Sequence, residues 1–233
     1  MAERDFLAFY ASRLPACELN GTFYARPSPR AIDRWTANTP PTFRFIVKAQ
    51  RGGAFRAMGP TPDESIAWLT APLPAFGDRL GAVLFRVPRE IRRRGPEDDE
   101  RLVRVLDAWP RAIPLVVELQ DRSWHVDETF RALEASAATL CATELDEDAE
   151  PPTLRLTGPT LYLRLRRIEY SAAEIEAWAA RLVPFLAAGT DAWAFFRHDE
   201  TGLGPERALA LAAAVERALA TDGRDRTAEP AGA

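Results

Sequence analysis

The chain has 233 residues, 47% hydrophobic and 27% charged, with a formal net charge of −4, the profile of a soluble globular protein large enough for one α/β barrel or two small domains. That acidic balance gives no electrostatic case for a nucleic-acid partner, and two cysteines, Cys17 and Cys141, exclude a disulfide framework and a cysteine-rich metal site. No apolar stretch reaches the roughly 18 residues of a membrane span, and the polar opening Met1-Ala2-Glu3-Arg4-Asp5 is no signal peptide, so a cytoplasmic protein without a membrane partner is expected.

Short apolar runs alternate with longer helical patterns. In chain order they predict a helix over 3–13, a strand over 16–20, a helix over 29–38, a strand over 43–49 and a helix over 62–80. Strands over 81–87 and 115–120 then flank a helix over 97–109. A helix over 126–136, strands over 139–145 and 161–165, a helix over 172–188, a strand over 192–197 and a helix over 205–220 complete the pattern. Ser28 before Pro29, Thr61 before Pro62, and Ser171 three residues before Glu174 are helix-start signals. The run Arg92-Arg93-Arg94 is followed at once by Glu97-Asp98-Asp99-Glu100, which neutralises it as a solvated loop and helix start. Nothing marks a domain boundary, so residues 1–220 are expected to form one domain and 221–233 a disordered tail.

Seven strands separated by helices imply parallel pairing, because parallel neighbours need a crossover. Most strands lack polar alternation, as expected where both faces are covered. The exceptions are informative. Glu18 and Asn20 share a face, as do Glu118 and Gln120, Arg164 and Arg166, and Phe196 and His198, by the period of two. Polar groups recurring near the C-terminal ends of parallel strands favour a TIM-like β/α barrel over a doubly wound sheet.

Lys48 is the only lysine against twenty-nine arginines, and it ends the apolar run that starts at Phe43. Lysine offers a compact charge, three rotatable donors and a pKa that burial can lower, none of which arginine supplies.

The segments Cys17-Glu18-Leu19-Asn20-Gly21-Thr22-Phe23-Tyr24, Trp35, Thr39-Pro40 and Phe43-Arg44-Phe45-Ile46-Val47-Lys48-Ala49 resemble the opening signatures of the DUF72 (YecE-like) family. Gly81 to Pro88, Val117-Glu118 with Arg122-Ser123-Trp124, Tyr162-Leu163-Arg164-Leu165, Tyr170, Trp178 and Phe195-Phe196 continue the resemblance over about residues 6–215. The resemblance implies a TIM-like barrel and names no reaction. It also marks departures. The family's usual first strand, Gly-Thr-Ser-Gly-Trp-like, has no counterpart before the helix at 3–13: either the start is misplaced or the barrel has seven strands with a gap. Glu118-Leu119-Gln120-Asp121 stands where relatives carry Glu-Phe-Arg-His, and Arg164-Leu165-Arg166-Arg167 where they carry Arg-Leu-His-Gly. Arg197-His198-Asp199 replaces an Asn pair, and Ala54-Phe55 a Thr-His.

If the strands close as expected, Glu18, Asn20, Lys48, Glu118 and Arg164 converge near the upper end of the barrel. Such charges must be paired, since an isolated buried ion costs several kcal/mol. They form either a structural network or a ligand site, and barrel mouths regularly host sites. As a site, Lys48 and Arg164 suit an anionic group, and Glu118 or Glu18 suits a general acid or base. Lys48, Glu118 and Glu18 are the candidate catalytic residues. Asn20, Tyr24, Trp124, Arg164 and His198 are the candidate substrate contacts, with Tyr24 and Trp124 as aromatic walls after the glutamate-bearing strands. Trp35, Trp68, Trp109 and Trp178 fit packing. His125 and His198 lack metal-ligand spacing, so no histidine metal site is expected, and a carboxylate site would need Glu18, Glu118 and Glu144. Arg51-Gly52-Gly53 reads as a plain strand-to-helix loop, without Walker or dinucleotide spacing. The first expectation is a barrel enzyme, a hydrolase or isomerase, acting on a small anionic or polyhydroxylated molecule. A non-catalytic ligand-binding or scaffold barrel and a nucleic-acid-processing barrel are the rivals. Sequence alone names no cofactor and sets no oligomeric state.

Overall fold

A computed structural model describes residues 3–145, 148, 150–197 and 202–228. The chain divides into two compact units, Met1–Cys141 with Arg155–Pro159, and Ala142–Leu154 with Thr160–Ala233.

The first unit opens with helix α1 (Glu3–Ala11), strand β1 (Ala16–Leu19), helix α2 (Pro29–Ala37) and strand β2 (Arg44–Lys48). Helices α3 (Arg51–Ala57) and α4 (Pro62–Thr70) follow, then β3 (Leu80–Val87), α5 (Pro96–Ala108), β4 (Leu115–Leu119), α6 (Asp127–Ala135) and the start of β5 (Thr139–Glu144). The strands pair in parallel and in chain order, β1 to β5, with Lys48 level with Leu84 and Arg86 level with Glu118. Alternation separates two faces. Phe45, Val47, Val83, Phe85, Val87, Val117, Leu119 and Leu140 point into one core with Ile32, Ile66, Leu69, Leu102, Val105 and Leu133 from the helices. A doubly wound sheet would carry helices on both faces and reverse its strand order. Chain order and one helical side place the fold in the α/β class, of the TIM-like β/α-barrel type.

The second unit holds the end of β5, β6 (Thr160–Leu165), α7 (Ala172–Ala187), β7 (Asp191–Phe196) and α8 (Leu203–Ala228). β6 and β7 are parallel, and the Arg166 N–H donates to the Glu144 carbonyl at 3.0 Å. Leu161, Leu163 and Leu165 pack with Ile175, Trp178, Leu182, Leu211 and Ala214.

Each expected strand is found within one or two residues. Among the helices, Ser28 accepts from the Ala31 N–H at 3.2 Å, and Ser171 with Glu174 forms the full capping box. Thr61 makes no side-chain cap. The helix expected over 62–80 ends at Thr70, and Leu73–Arg79 is a 3₁₀ stretch broken at Gly77, whose φ is 53°. Arg51-Gly52-Gly53 is no loop but the first turn of α3, capped by Gln50, which accepts from the Gly53 N–H at 2.8 Å. Gly53 is there for space, since a Cβ would stand 2.6 Å from Leu69 Cδ2. Helix α8 continues to Ala228, past the expected end at 220. The arginine run is neutralised as expected: the Arg93 guanidinium grips Asp99 at 2.6 and 2.8 Å, and Arg94 N–H donates to Asp98 at 2.8 Å.

Candidate functional site

The face of β1 to β4 that turns away from the helices carries the charges. It presents Glu18 from β1, Ile46 and Lys48 from β2, Leu84 and Arg86 from β3, and Val116 and Glu118 from β4, while their sequence neighbours fill the helix-side core. Glu18, Lys48, Arg86 and Glu118 each lie at the last or next-to-last position of their strands. Four successive strands thus end in one ionisable side chain each, on the same face.

These charges are arranged in pairs. Lys48 Nζ donates to Asn20 Oδ1 at 2.6 Å and lies 3.0 Å from Glu18 Oε1, with the lysine and glutamate side chains only 8% and 9% exposed. Asn20 opens the short 3₁₀ turn after β1, so one turn supplies a neutral acceptor and the strand beneath it a charged one. The Thr22 hydroxyl accepts from the Lys48 backbone N–H at 2.9 Å and donates to the Leu19 carbonyl at 2.7 Å. Glu118 is 3% exposed and accepts from Arg86 Nε. The same guanidinium donates to Gln120 Oε1 at 2.9 Å, and Gln120 Nε2 donates to the Val87 carbonyl at 2.9 Å. The Arg86 guanidinium also lies 5.2 Å over the Phe23 ring. Two cations and two carboxylates sum to zero, so these four groups carry no net charge between them. They do hold carboxylates and donors in fixed positions, which acid/base work requires.

Of the predicted contacts, Glu18, Asn20 and Lys48 are brought into direct contact, and Glu118 shares their face. Tyr24 follows them on the turn and is 78% exposed. Trp124 is not a pocket wall. It is 0% exposed in the helix-side core, its indole N–H donating to the Ile91 carbonyl at 2.8 Å. A place just after a strand does not fix side-chain direction, and here the 3₁₀ turn Arg122–Trp124 swings the ring inward. Arg164 is buried in the second unit, on the face of β6 opposite Leu161, Leu163 and Leu165. Beside it Tyr162 meets Phe195 with centroids 5.3 Å apart. Phe196 faces the helices instead, edge-on to Tyr170. His198 and Asp199 lie outside the described residues.

Two members escaped sequence reasoning. Arg86 carried a signal of the Lys48 kind: a lone cation in an apolar run, two residues from Leu84. Gln120 was noted only as a face-mate of Glu118. Among the described residues no cluster of three or more His, Cys, Asp or Glu side chains could hold a metal ion. Glu144 shares a face of β5 with helix-packed Leu140, and accepts from Tyr170 Oη at 2.6 Å and Trp178 Nε1 at 3.3 Å. Burial and then the bond to Glu144 push the Tyr170 hydroxyl far above its usual range. Cys17 is an inert thiol: burial, then the charge of Glu18, push it up to about 12. His125 is a surface residue beside Phe130, with Nε2 3.4 Å from the Leu119 carbonyl.

The comparisons with known proteins agree with this fold. The UPF0759 protein YunF of Bacillus subtilis (strain 168) is 28% identical over 169 residues, a stretch of 67% of this chain that spans 59% of the length of that curated relative. A crystal structure of a DUF72 family protein from Enterococcus faecalis V583 superposes with a TM-score of 0.76 at 20% identity, covering 90% of this chain and 93% of that one. A DUF72 family protein from Thermotoga maritima MSB8 gives a TM-score of 0.76 at 23% identity, covering 94% and 90%. The family model described as "Protein of unknown function DUF72" matches residues 1–231, and the chain therefore belongs to the DUF72 family.

Proposed function

We propose that the C-terminal ends of β1 to β4 form the active site of an enzyme that acts on a small anionic or polyhydroxylated substrate by acid/base chemistry. One observation carries this reading: Glu18, Lys48, Arg86 and Glu118 stand on the face of the sheet that the helices leave uncovered, at the strand ends where β/α barrels place their chemistry. In this reading Glu118, held by the Arg86 guanidinium, is the general acid or base. Lys48, held by Glu18 and Asn20, donates to a substrate oxygen as charge develops on it. Proton abstraction next to a carbonyl and hydrolysis both fit this pair of functions. A scaffold reading draws on a different observation, that each carboxylate already has a cationic partner, as a purely structural buried network requires.

The two readings separate in one experiment. Phosphorylated, carboxylated and polyhydroxylated metabolites are screened for a rise in melting temperature, with the unmodified protein, Lys48→Met and Glu118→Gln side by side. A ligand that favours the native state raises the melting temperature by mass action. The expected result is stabilisation of the unmodified protein, lost in both variants although each remains folded. Variants that lose several kcal/mol of stability while no metabolite shifts the unmodified protein would establish the structural network instead.

A further inference from the structure

The neutral inner cluster leaves a question of recognition. Its two cations are matched by its two carboxylates, so these four groups offer no surplus positive charge, and an anionic substrate gains from cations beyond them. Such groups stand beside it. Between residues 19 and 62, apart from Lys48 of the cluster itself, the chain carries six arginines, Arg26, Arg30, Arg34, Arg44 at the far end of β2, Arg51 and Arg56, against the single acid Asp33, in a chain whose net charge is −4. Three of these arginines, Arg26, Arg51 and Arg56, lie in the segments that follow the C-terminal ends of β1 and β2.

A groove of about 500 Å³ opens there, lined among others by Phe23, Tyr24, Gln50, Arg51, Phe55 and Arg56. The volume is that of a small-molecule site. Its walls are aromatic side chains left in solvent, Tyr24 at 78% and Phe55 at 54% exposure. Exposed rings that line a groove can take the face of a ligand's ring. The cations are available for exchange: Arg51 is held by Glu90 at 3.5 Å with both side chains more than half exposed, a weak pair that a phosphate forming two parallel bonds displaces. Arg56 lies 5.6 Å over the Trp68 ring, which supports its guanidinium without neutralising it. The groove shares one residue with the surroundings of the inner cluster. Phe23 lines it, and on the ring of Phe23 rests the Arg86 guanidinium that holds Glu118.

We infer that this groove is the recognition subsite for a phosphorylated small molecule with a ring, a sugar phosphate or a nucleoside monophosphate, whose ring lies against Tyr24 and Phe55 and whose phosphate is taken by Arg51 and Arg56. The inference rests on the active-site reading above and gives it a substrate class.

Isothermal titration with glucose 6-phosphate, AMP, glucose and adenosine tests it, on the full chain and on the variants Phe55→Ala, Arg51→Gln with Arg56→Gln, and Lys48→Met. The rim residues are exposed, so their variants keep the fold. Saturable binding of one phosphorylated probe is expected, at least about tenfold tighter than its unphosphorylated counterpart and weakened about tenfold or more by the arginine pair. Phe55→Ala weakens the same probe, and the preference between AMP and glucose 6-phosphate identifies the ring. Absence of saturable binding by both phosphorylated probes overturns the inference, and so does a short thymidine oligonucleotide that binds more tightly than AMP. Binding abolished by Lys48→Met but unmoved by the rim variants refutes the subsite and leaves the inner site standing. Binding lost in the rim variants and unchanged in Lys48→Met supports the subsite and removes the inner cluster from ligand contact.

Discussion

Glu118 and Glu144 are both buried glutamates on strands of a parallel sheet, and they have opposite surroundings. Glu118 turns away from the helices and meets a guanidinium that itself is partly exposed. Glu144 turns toward the helices and meets neutral donors, the Tyr170 hydroxyl and the Trp178 indole, with the Arg167 guanidinium only at 3.9 Å. Tyr170 Oη also accepts from the Arg167 N–H at 3.3 Å, so Glu144 anchors the segment that joins β6 to α7. The difference shows that burial of a carboxylate does not mark a site. What surrounds it, and which face it occupies, decides between a clasp and a reactive group.

The largest effect that would break this contrast concerns the clasp. Glu144→Ala strands the buried Trp178 indole and the partly buried Tyr170 hydroxyl and is expected to cost about 2–5 kcal/mol in urea or guanidinium unfolding, with ligand affinity unchanged in the surviving folded protein. Equal loss of ligand binding in Glu144→Ala and Glu118→Gln would erase the distinction between the two glutamates. A smaller effect is expected from Trp124→Phe, which keeps an aromatic ring in the core, though a smaller one, and removes the N–H donated to Ile91. A loss of about 1–3 kcal/mol with unaltered ligand binding would fit its place in the core. Ligand binding that depends on the Trp124 indole would return it to the pocket.

The smallest effect at neutral pH concerns Cys17, whose thiol faces the helix side while the adjacent Glu18 faces the other. Its pKa rises on folding from 9.0 to about 12, and Tyr10 beside it moves from 10.0 to about 12, chiefly by burial. Between these values the unfolded chain has lost protons that the folded one keeps, so stability falls as pH rises from about 9 towards 12. Chemical denaturation across that range should show the fall, and Cys17→Ala should flatten it. A disulfide-exchange reagent that modifies Cys17 rapidly at pH 8 in the folded protein would contradict the raised value.

The sheet was legible because its strands are short apolar runs covered by helices, and helical connections impose parallel pairing. The helical side was less so. Arg51-Gly52-Gly53 reads as a loop because glycine disfavours helices, and only the approach of Leu69 explains why glycine is kept there. The segment 62–80 keeps a helical pattern across Pro72, although the chain tightens there and Gly77 breaks it. In the site, period-two alternation says which residues of one strand share a face, since a strand leaves its side chains only two directions, and the strand pairing then brings Glu18, Lys48 and Glu118 to the same one. Trp124 lies beyond its strand, where no such rule applies, and its direction had to come from coordinates. Arg86 was legible on the same argument as Lys48, but its arginine identity hid it among twenty-eight others.

Thr22 gives the region a mechanical property. Its hydroxyl is bonded to the carbonyl at the end of one strand and to the amide at the end of the next, with a side chain standing in for a further rung of the ladder. The turn bearing Phe23 and Tyr24 is thereby stapled to the backbone of Lys48, and the aromatic wall and the ammonium travel as one piece. A valine at that position would keep the shape and cut the staple, freeing the wall to drift relative to the charge.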